Sequence, residues 1–150
     1  LQRYGVSGQS LELEVTEGAL MTDIARTIVE LSRLADAKIT ISIDDFGTGY
    51  SSLQYLHQLP ISLIKIDQSF VRRLPDDKGA VHIVEAAVTL AHKMGMKTIA
   101  EGVEDQSAYK LLADLGCDIA QGFMISRPLP AAEFEKWLAQ YEGNALYAQM

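Results

Sequence analysis

The sequence predicts an α/β fold of the (β/α)-barrel kind, and three observations predict it. Short β-rich runs alternate five times with stretches of helical spacing, the strands carry one apolar and one polar parity, and every run ends in a charged or amide side chain. At 150 residues and 48% apolar content, the chain fits a single domain spanning residues 1–150 with one sizeable core.

The first strand is expected over 11–16, where Leu11, Leu13 and Val15 alternate with Glu12 and Glu14. A helix follows near 22–35, with Ile24, Ile28, Leu31 and Ala35 on one stripe. The second strand, 39–45, repeats the alternation, with Ile39, Ile41 and Ile43 against Thr40, Ser42 and Asp44. Residues 49–58 read as a short helix ended before Pro60, 61–67 as the third strand and 72–79 as a polar loop. In the next helix Val84, Ala87, Val88 and Ala91 share a face, and Gly95 stops it. Strand 97–102 precedes a helix with Ala108, Leu111, Leu112 and Leu115 on one face, closed by Gly116. The last strand is 118–123, and Phe134, Trp137, Leu138 and Tyr141 make the last helical face.

Alternating strands alone suit an antiparallel sheet with a wet face equally well. The intervening helices favour parallel strands, with the apolar parity packed outward on helices and the polar parity lining an interior. The acids then collect at the carboxyl ends of the strands, where this architecture places its sites.

Composition narrows the chemistry. Twenty acidic against 13 basic residues give a net charge of −7, which argues against attraction to DNA. No apolar run approaches the roughly 20 residues of a membrane span, and the start has no signal-peptide pattern, so no membrane contact is expected from this segment. The single cysteine, Cys117, excludes an internal disulfide and a cysteine-based zinc site and fits a reducing, cytoplasmic setting. An anionic substrate would need metal ions.

The densest signal is Asp44-Asp45-Phe46-Gly47-Thr48-Gly49-Tyr50-Ser51-Ser52, two acids opening into a glycine-bearing turn. In isolation it suits a plain turn with Asp45, Thr48 and Ser52 as caps. Further strand ends supply Glu14 and Glu17, Lys65 and Asp67, Glu101 and Glu104, and Gln121. Each alone is readily structural. Together they deliver polar groups from five strands toward one face, as a barrel does when it assembles a site. Hard oxygen ligands without histidine or cysteine favour Mg2+ or Mn2+ over zinc, and a pair of such ions suits phosphodiester chemistry. His57, His82 and His92 fall in helices or at their ends and are expected to be ordinary surface or packing residues.

The blocks LELEVTEG, ISIDDFGTGYSSLQYL, LIKIDQSFV, TIAEGVED and GCDIAQGFMISRPLP resemble, in order and spacing, the signature blocks of the EAL domain, over residues 11 to about 141. That resemblance implies a TIM-like barrel and a phosphodiesterase that hydrolyses cyclic di-GMP to linear pGpG with Mg2+ or Mn2+, and that calcium inhibits. It further implies Glu14 and Asp44 on a first metal, Asp44 bridging, and Asp45 and Glu101 on a second. Lys65 would hold the attacking water, Glu101 would be a candidate general base, and Gln121 would sit beside the site in contact with substrate. Segment 46–52 (Phe46, Gly47, Thr48, Gly49, Tyr50, Ser51, Ser52) resembles the loop coupling metal binding, substrate binding and homodimer formation, with Glu17 anchoring it.

No acid of the visible pattern is replaced, which favours an active parent. The sequence departs from the pattern at its front: the EAL tripeptide and the asparagine block after it are absent, and with them two first-metal ligands. About five βα units are present against the eight of a full barrel. Residues 1–10 read as the end of an upstream helix, and open edges are expected at 11–16 and 118–123 unless further strands or another chain cover them. The expectation is therefore a phosphodiesterase complete only with those strands and inactive as this segment alone. The alternatives are a cyclic-di-GMP receptor without catalysis, or an interaction module dimerising through the 46–57 region.

Overall fold

A computed structural model describes residues 1–20, 23–48 and 53–141. Two 3-10 turns, Gln2–Tyr4 and Gly8–Ser10, occupy the stretch read as a helix end. The elements that follow are β1 (Glu12–Thr16), α1 (Glu17–Leu20), α2 (Ile24–Asp36), β2 (Thr40–Phe46), α3 (Leu53–Leu56) and β3 (Leu63–Ile66). After them come α4 (Gln68–Val71), α5 (Lys78–Lys93), β4 (Lys97–Glu101), α6 (Gln106–Asp114), β5 (Ile119–Gln121) and α7 (Ala131–Tyr141). The five strands form one sheet in sequence order, and every neighbouring pair is parallel. That is the arc of an incomplete barrel, with β1 and β5 at its edges.

Parity explains the layering. Ile41, Ile43, Ile64 and Ile66 are fully buried in the core between sheet and helices, joined there by Val84, Ala87, Val88 and Ala91 of α5 and by Ala108 and Leu112 of α6. Each such isoleucine contributes about 1.5–3 kcal/mol of burial. Leu63 and Ile99 have the opposite parity, and they are buried without joining that helix-facing core. They belong to the concave side, together with the polar parity. β1 departs from the expected burial. Leu11 and Leu13 keep 41% and 39% of their surface exposed because an edge strand has a neighbour on one side only.

The helix starts follow their caps. Asp23, Asp77 and Asp105 each accept hydrogen bonds from backbone N–H groups in the first turns of α2, α5 and α6. The Asp77 cap shortens the loop expected at 72–79, since α5 already begins at Lys78. A single turn, α4, also precedes that loop, capped by Asp67 through Ser69 N–H. Both are local capping effects that apolar spacing does not report.

Candidate active site at the carboxyl ends of the strands

Four of the expected residues converge. Nζ of Lys65, on β3, donates to Oε1 of Glu14 on β1 at 2.7 Å, to Oδ1 of Asp44 on β2 at 3.0 Å and to Oε1 of Glu101 on β4 at 2.8 Å. The lysine side chain is 5% exposed, against 49%, 24% and 20% for its three partners. Burial alone would lower its pKa, but the hydrogen bonds to Glu101, Glu14 and Asp44 outweigh that and hold the ammonium above the ordinary lysine range. Three ammonium protons serve three carboxylates, so the concave face holds charge rather than apolar bulk, and with one cation to three anions it keeps a net negative charge.

Asp45 reaches the same mouth by a backbone irregularity. Between Ile43 and Phe46 the register of β2 against β3 shifts, because Ile43 pairs with Ile64 but Phe46 with Ile66. Asp45 takes φ 55° there, in the left-handed region that aspartate tolerates better than most residues. Desolvation, then the negative charges of Asp44 and Asp67, push its carboxyl above the ordinary range against the pull of Lys65. A bulge of this kind re-aims a side chain, and here it brings two consecutive acids close enough to feel one another.

The turn beyond is closed by Thr48, whose N–H and hydroxyl both donate to the carbonyl of Asp45, at 3.2 and 2.8 Å. Phe46 is buried in the core, and Gly47 lies against the ring of Phe70. Gly49, Tyr50, Ser51 and Ser52 lie outside the described residues. Glu17 is buried as the first residue of α1, directly after β1. Gln121 ends β5 beside Glu101, its register partner.

A cleft of about 240 Å³ opens beside Glu101 and Gln121, walled by Gln68, Arg72, Glu104 and Phe123. Its floor is backbone. Gly102 has φ 71°, and a Cβ there would stand 2.6 Å from the Cβ of Gln68, so only glycine fits. Glu104 pairs with Arg72 across the cleft wall at 2.9 Å. Arg72 and Phe123 were not among the expected site residues. Arg72 opens the stretch read as a polar loop and Phe123 closes the strand expected over 118–123, two residues beyond the end of β5, and nothing in their local spacing separates them from ordinary surface.

The donor set fits a hard divalent cation, because every candidate ligand is a carboxylate and the crowding of Asp44, Asp45 and Asp67 is what such a cation relieves. Among the described residues no three His, Cys, Asp or Glu side chains converge on one point suited to a metal. Glu14, Asp44 and Glu101 close on the ammonium of Lys65 instead. The histidines stand elsewhere. Nε2 of His92 lies 2.9 Å from Oδ2 of Asp118, which also accepts from the N–H and hydroxyl of Thr98 at 2.8 and 3.0 Å. That network sits at the amino ends of β4 and β5, the end of a barrel associated with stability. No helix among the described residues is long and apolar enough to cross a membrane.

Comparison with known proteins bears on the family and the fold. Residues 1–128 match the family model described as EAL domain. The chain is 43% identical over 145 residues to the cyclic di-GMP phosphodiesterase NbdA of Pseudomonas aeruginosa, covering 97% of this chain and 18% of NbdA. Its structure is similar to the MucR phosphodiesterase in complex with c-di-GMP, with a TM-score of 0.86 and 44% identity over 89% of this chain and 54% of that one. It is also similar to Klebsiella pneumoniae BlrP1 in a manganese and c-di-GMP complex, with a TM-score of 0.78 and 33% identity over 85% of this chain and 33% of that one. The chain thus spans only part of the length of the proteins it matches.

Proposed function

Because the chain belongs to the EAL domain family, we propose that it carries the larger part of the catalytic mouth of a Mg2+- or Mn2+-dependent phosphodiesterase that opens cyclic di-GMP to linear pGpG. The observation that supports this reading is the meeting of Glu14, Asp44 and Glu101, from three strands, within 3.0 Å of the buried Lys65 ammonium.

In this reading Glu14, Asp44, Asp45 and Glu101 hold the ions. When bound, the ions supply Lewis acidity that neutralises the diester's charge and makes water a stronger nucleophile. The residues of the chain do the rest. Lys65, set among these carboxylates, would donate to the attacking water and fix its direction. Glu101, within reach of that water, takes its proton. Gln121 borders the reacting centre from β5 and orients substrate. One P–O bond of the cyclic diester breaks, the water oxygen replaces it on phosphorus, the released ribose oxygen takes a proton from solvent, and Glu101 returns the one it took to solvent.

The same reading holds that the 150-residue chain does not turn over alone. β1 and β5 are sheet edges, and Glu14, on one of them, is half exposed, so the reacting centre is not enclosed. Homodimer formation by the complete domain and a cytoplasmic setting are part of the proposal, and sedimentation and cell fractionation of the longest native form test them. The deciding assay is Mg2+- or Mn2+-dependent conversion of cyclic di-GMP to pGpG by this chain alone and by the chain joined to the preceding strands of its domain. Activity in the joined form only is the expected result. Tight binding without turnover in the joined form would replace it with a receptor.

A further inference from the structure

Among the described residues the sheet holds two fully buried hydroxyls, Ser42 on β2 and Thr98 on β4, and their surroundings differ. Oγ1 of Thr98 donates to Oδ2 of Asp118 at 3.0 Å and accepts from the N–H of Asp118 at 3.2 Å. Oγ of Ser42 has no hydrogen-bond partner among the described residues. A buried hydroxyl in that state has lost its hydration without compensation, and native interiors keep few such groups unless a ligand, an ion or a reaction uses them. The register of the sheet indicates the user. Ser42 lies on the concave face two residues before Asp44, level with Glu14 on β1 and with Leu63 on β3. Leu63 is apolar, so the polar flank of Ser42 is the β1 side.

We propose that Ser42 is a positioning residue of the cation site, its hydroxyl donating to the Glu14 carboxylate when that carboxylate holds a divalent ion. The inference rests on the reading of Glu14 as a metal ligand and deepens it. Glu14 and Lys65 stand on strands that are not neighbours, so their 2.7 Å contact passes over the concave face of β2, where Ser42 and Asp44 stand. Asp44 is two residues further along the same strand, about 6.6 Å away, whereas Glu14 is level with Ser42 on the next strand, roughly 4.8 Å across, and has the longer side chain. A carboxylate carries two oxygens and about four lone-pair sites, so Glu14 can serve a cation and a hydroxyl together. Its half-exposed place on an edge strand leaves the carboxylate without packing to fix it, and carboxylates that ligate metals are held by hydrogen bonds of this kind. Serine is neutral, so unlike Lys65 it does not compete with the cation for the negative charge. Loss of the hydroxyl therefore has opposite consequences in the two states: the metal-free chain is relieved of an unmatched polar group, and the metal-bound one loses a hydrogen bond.

Ser42→Ala in the longest native form tests this, with Mn2+ titrated calorimetrically and thermal unfolding followed in EDTA. The substitution removes a single oxygen atom, so the fold is kept. Mn2+ affinity should fall roughly 10- to 100-fold, the range for removing a hydrogen bond that orients a metal ligand. The unfolding midpoint in EDTA should stay level or rise, because no partner is lost there. Added to Glu14→Ala, Ser42→Ala should cost no further Mn2+ affinity, since the carboxylate it serves is already gone. Unchanged Mn2+ affinity in Ser42→Ala, or additive losses in the double variant, overturns the inference. A lower midpoint in EDTA overturns it too, by showing that a trapped water or another strand already partners the hydroxyl without metal. A wild type that binds no Mn2+ sinks the metal-dependent reading and the inference together, whereas a wild type that binds it and a Ser42→Ala variant that binds it equally well strike the inference alone.

Discussion

Asp44 and Asp45 are consecutive, yet their carboxylates act on one another, because Asp45 sits at φ 55° in a register shift of β2 against β3. Regular strand geometry would send consecutive side chains to opposite faces. The shift removes that restriction at the one position where two acids are wanted together.

Replacing Asp45 separates backbone from charge. Asp45→Ala should cost about 1 kcal/mol, since alanine tolerates the left-handed region poorly. Asp45→Asn keeps that tolerance and removes one of the crowded negative charges, so its stability should match or exceed the wild type. Urea unfolding of both variants checks this, and calorimetry with Mn2+ should show weaker binding in each. An alanine variant as stable as the asparagine one would show that the backbone carries no strain.

Lys65→Met tests the charge balance of the concave face. Breaking a fully buried pair costs roughly 3–5 kcal/mol, and the half-exposed Glu14 screens part of this, so a loss of about 2–3 kcal/mol is expected. Divalent cations should restore much of the lost stability, because they supply the charge the carboxylates then lack. Thermal unfolding with and without Mg2+ reads this, and chelation by EDTA should destabilise the variant far more than the wild type. Turnover by the complete domain should fall more than nucleotide affinity, and equal losses would make Lys65 a structural residue.

The architecture was legible in the sequence because period and parity are properties of residues along a strand. Ile41 and Ile43 had to face one way and Ser42 and Asp44 the other, whichever strands lay beside them. Capping is less visible: Asp67 and Asp77 start helices where apolar spacing gives no sign, which is why that spacing leaves 68–71 unassigned and reads the start of α5 as loop. The cluster was legible only in part. Sequence places Lys65 and Glu101 at strand ends, but their 2.8 Å contact depends on a register between β3 and β4 that no local signal encodes. Arg72 and Phe123 were invisible for the same reason, since the cleft that gives them meaning joins three separate loops.

At the opposite end of the sheet, Asp118 sets an acid limit. Burial would raise its pKa, but hydrogen bonds from His92 and Thr98 outweigh this and hold it below the ordinary carboxylate value. A carboxylate depressed in the folded state stabilises fully above its unfolded pKa of about 3.9, and that stability is lost as pH falls through the folded value. Asp118→Asn should therefore lower stability at neutral pH and flatten its decline below about pH 4. Urea midpoints between pH 3 and 7 decide it, and parallel curves for the two proteins would remove Asp118 from the acid transition.

Gly122 follows Gln121 and walls the cleft beside Glu101. Its backbone lies so close to Val103 that a Cβ would stand 2.1 Å from that residue's carbonyl oxygen and 2.3 Å from its nitrogen. The neighbour is backbone held in place: Val103 N–H donates to Gln121 O at 3.0 Å, and Met124 N–H donates to Val103 O at 3.0 Å. No side-chain rotation relieves such a contact, so Gly122→Ala must part the loops after β4 and β5. A loss of about 2–3 kcal/mol is expected, within the range for overpacking a buried position. Displacing Gln121 from Glu101 should also reduce turnover by the complete domain beyond what the unfolded fraction explains. Denaturant unfolding alongside specific activity separates these effects, and an alanine variant with native stability would show that the two loops are free to move apart.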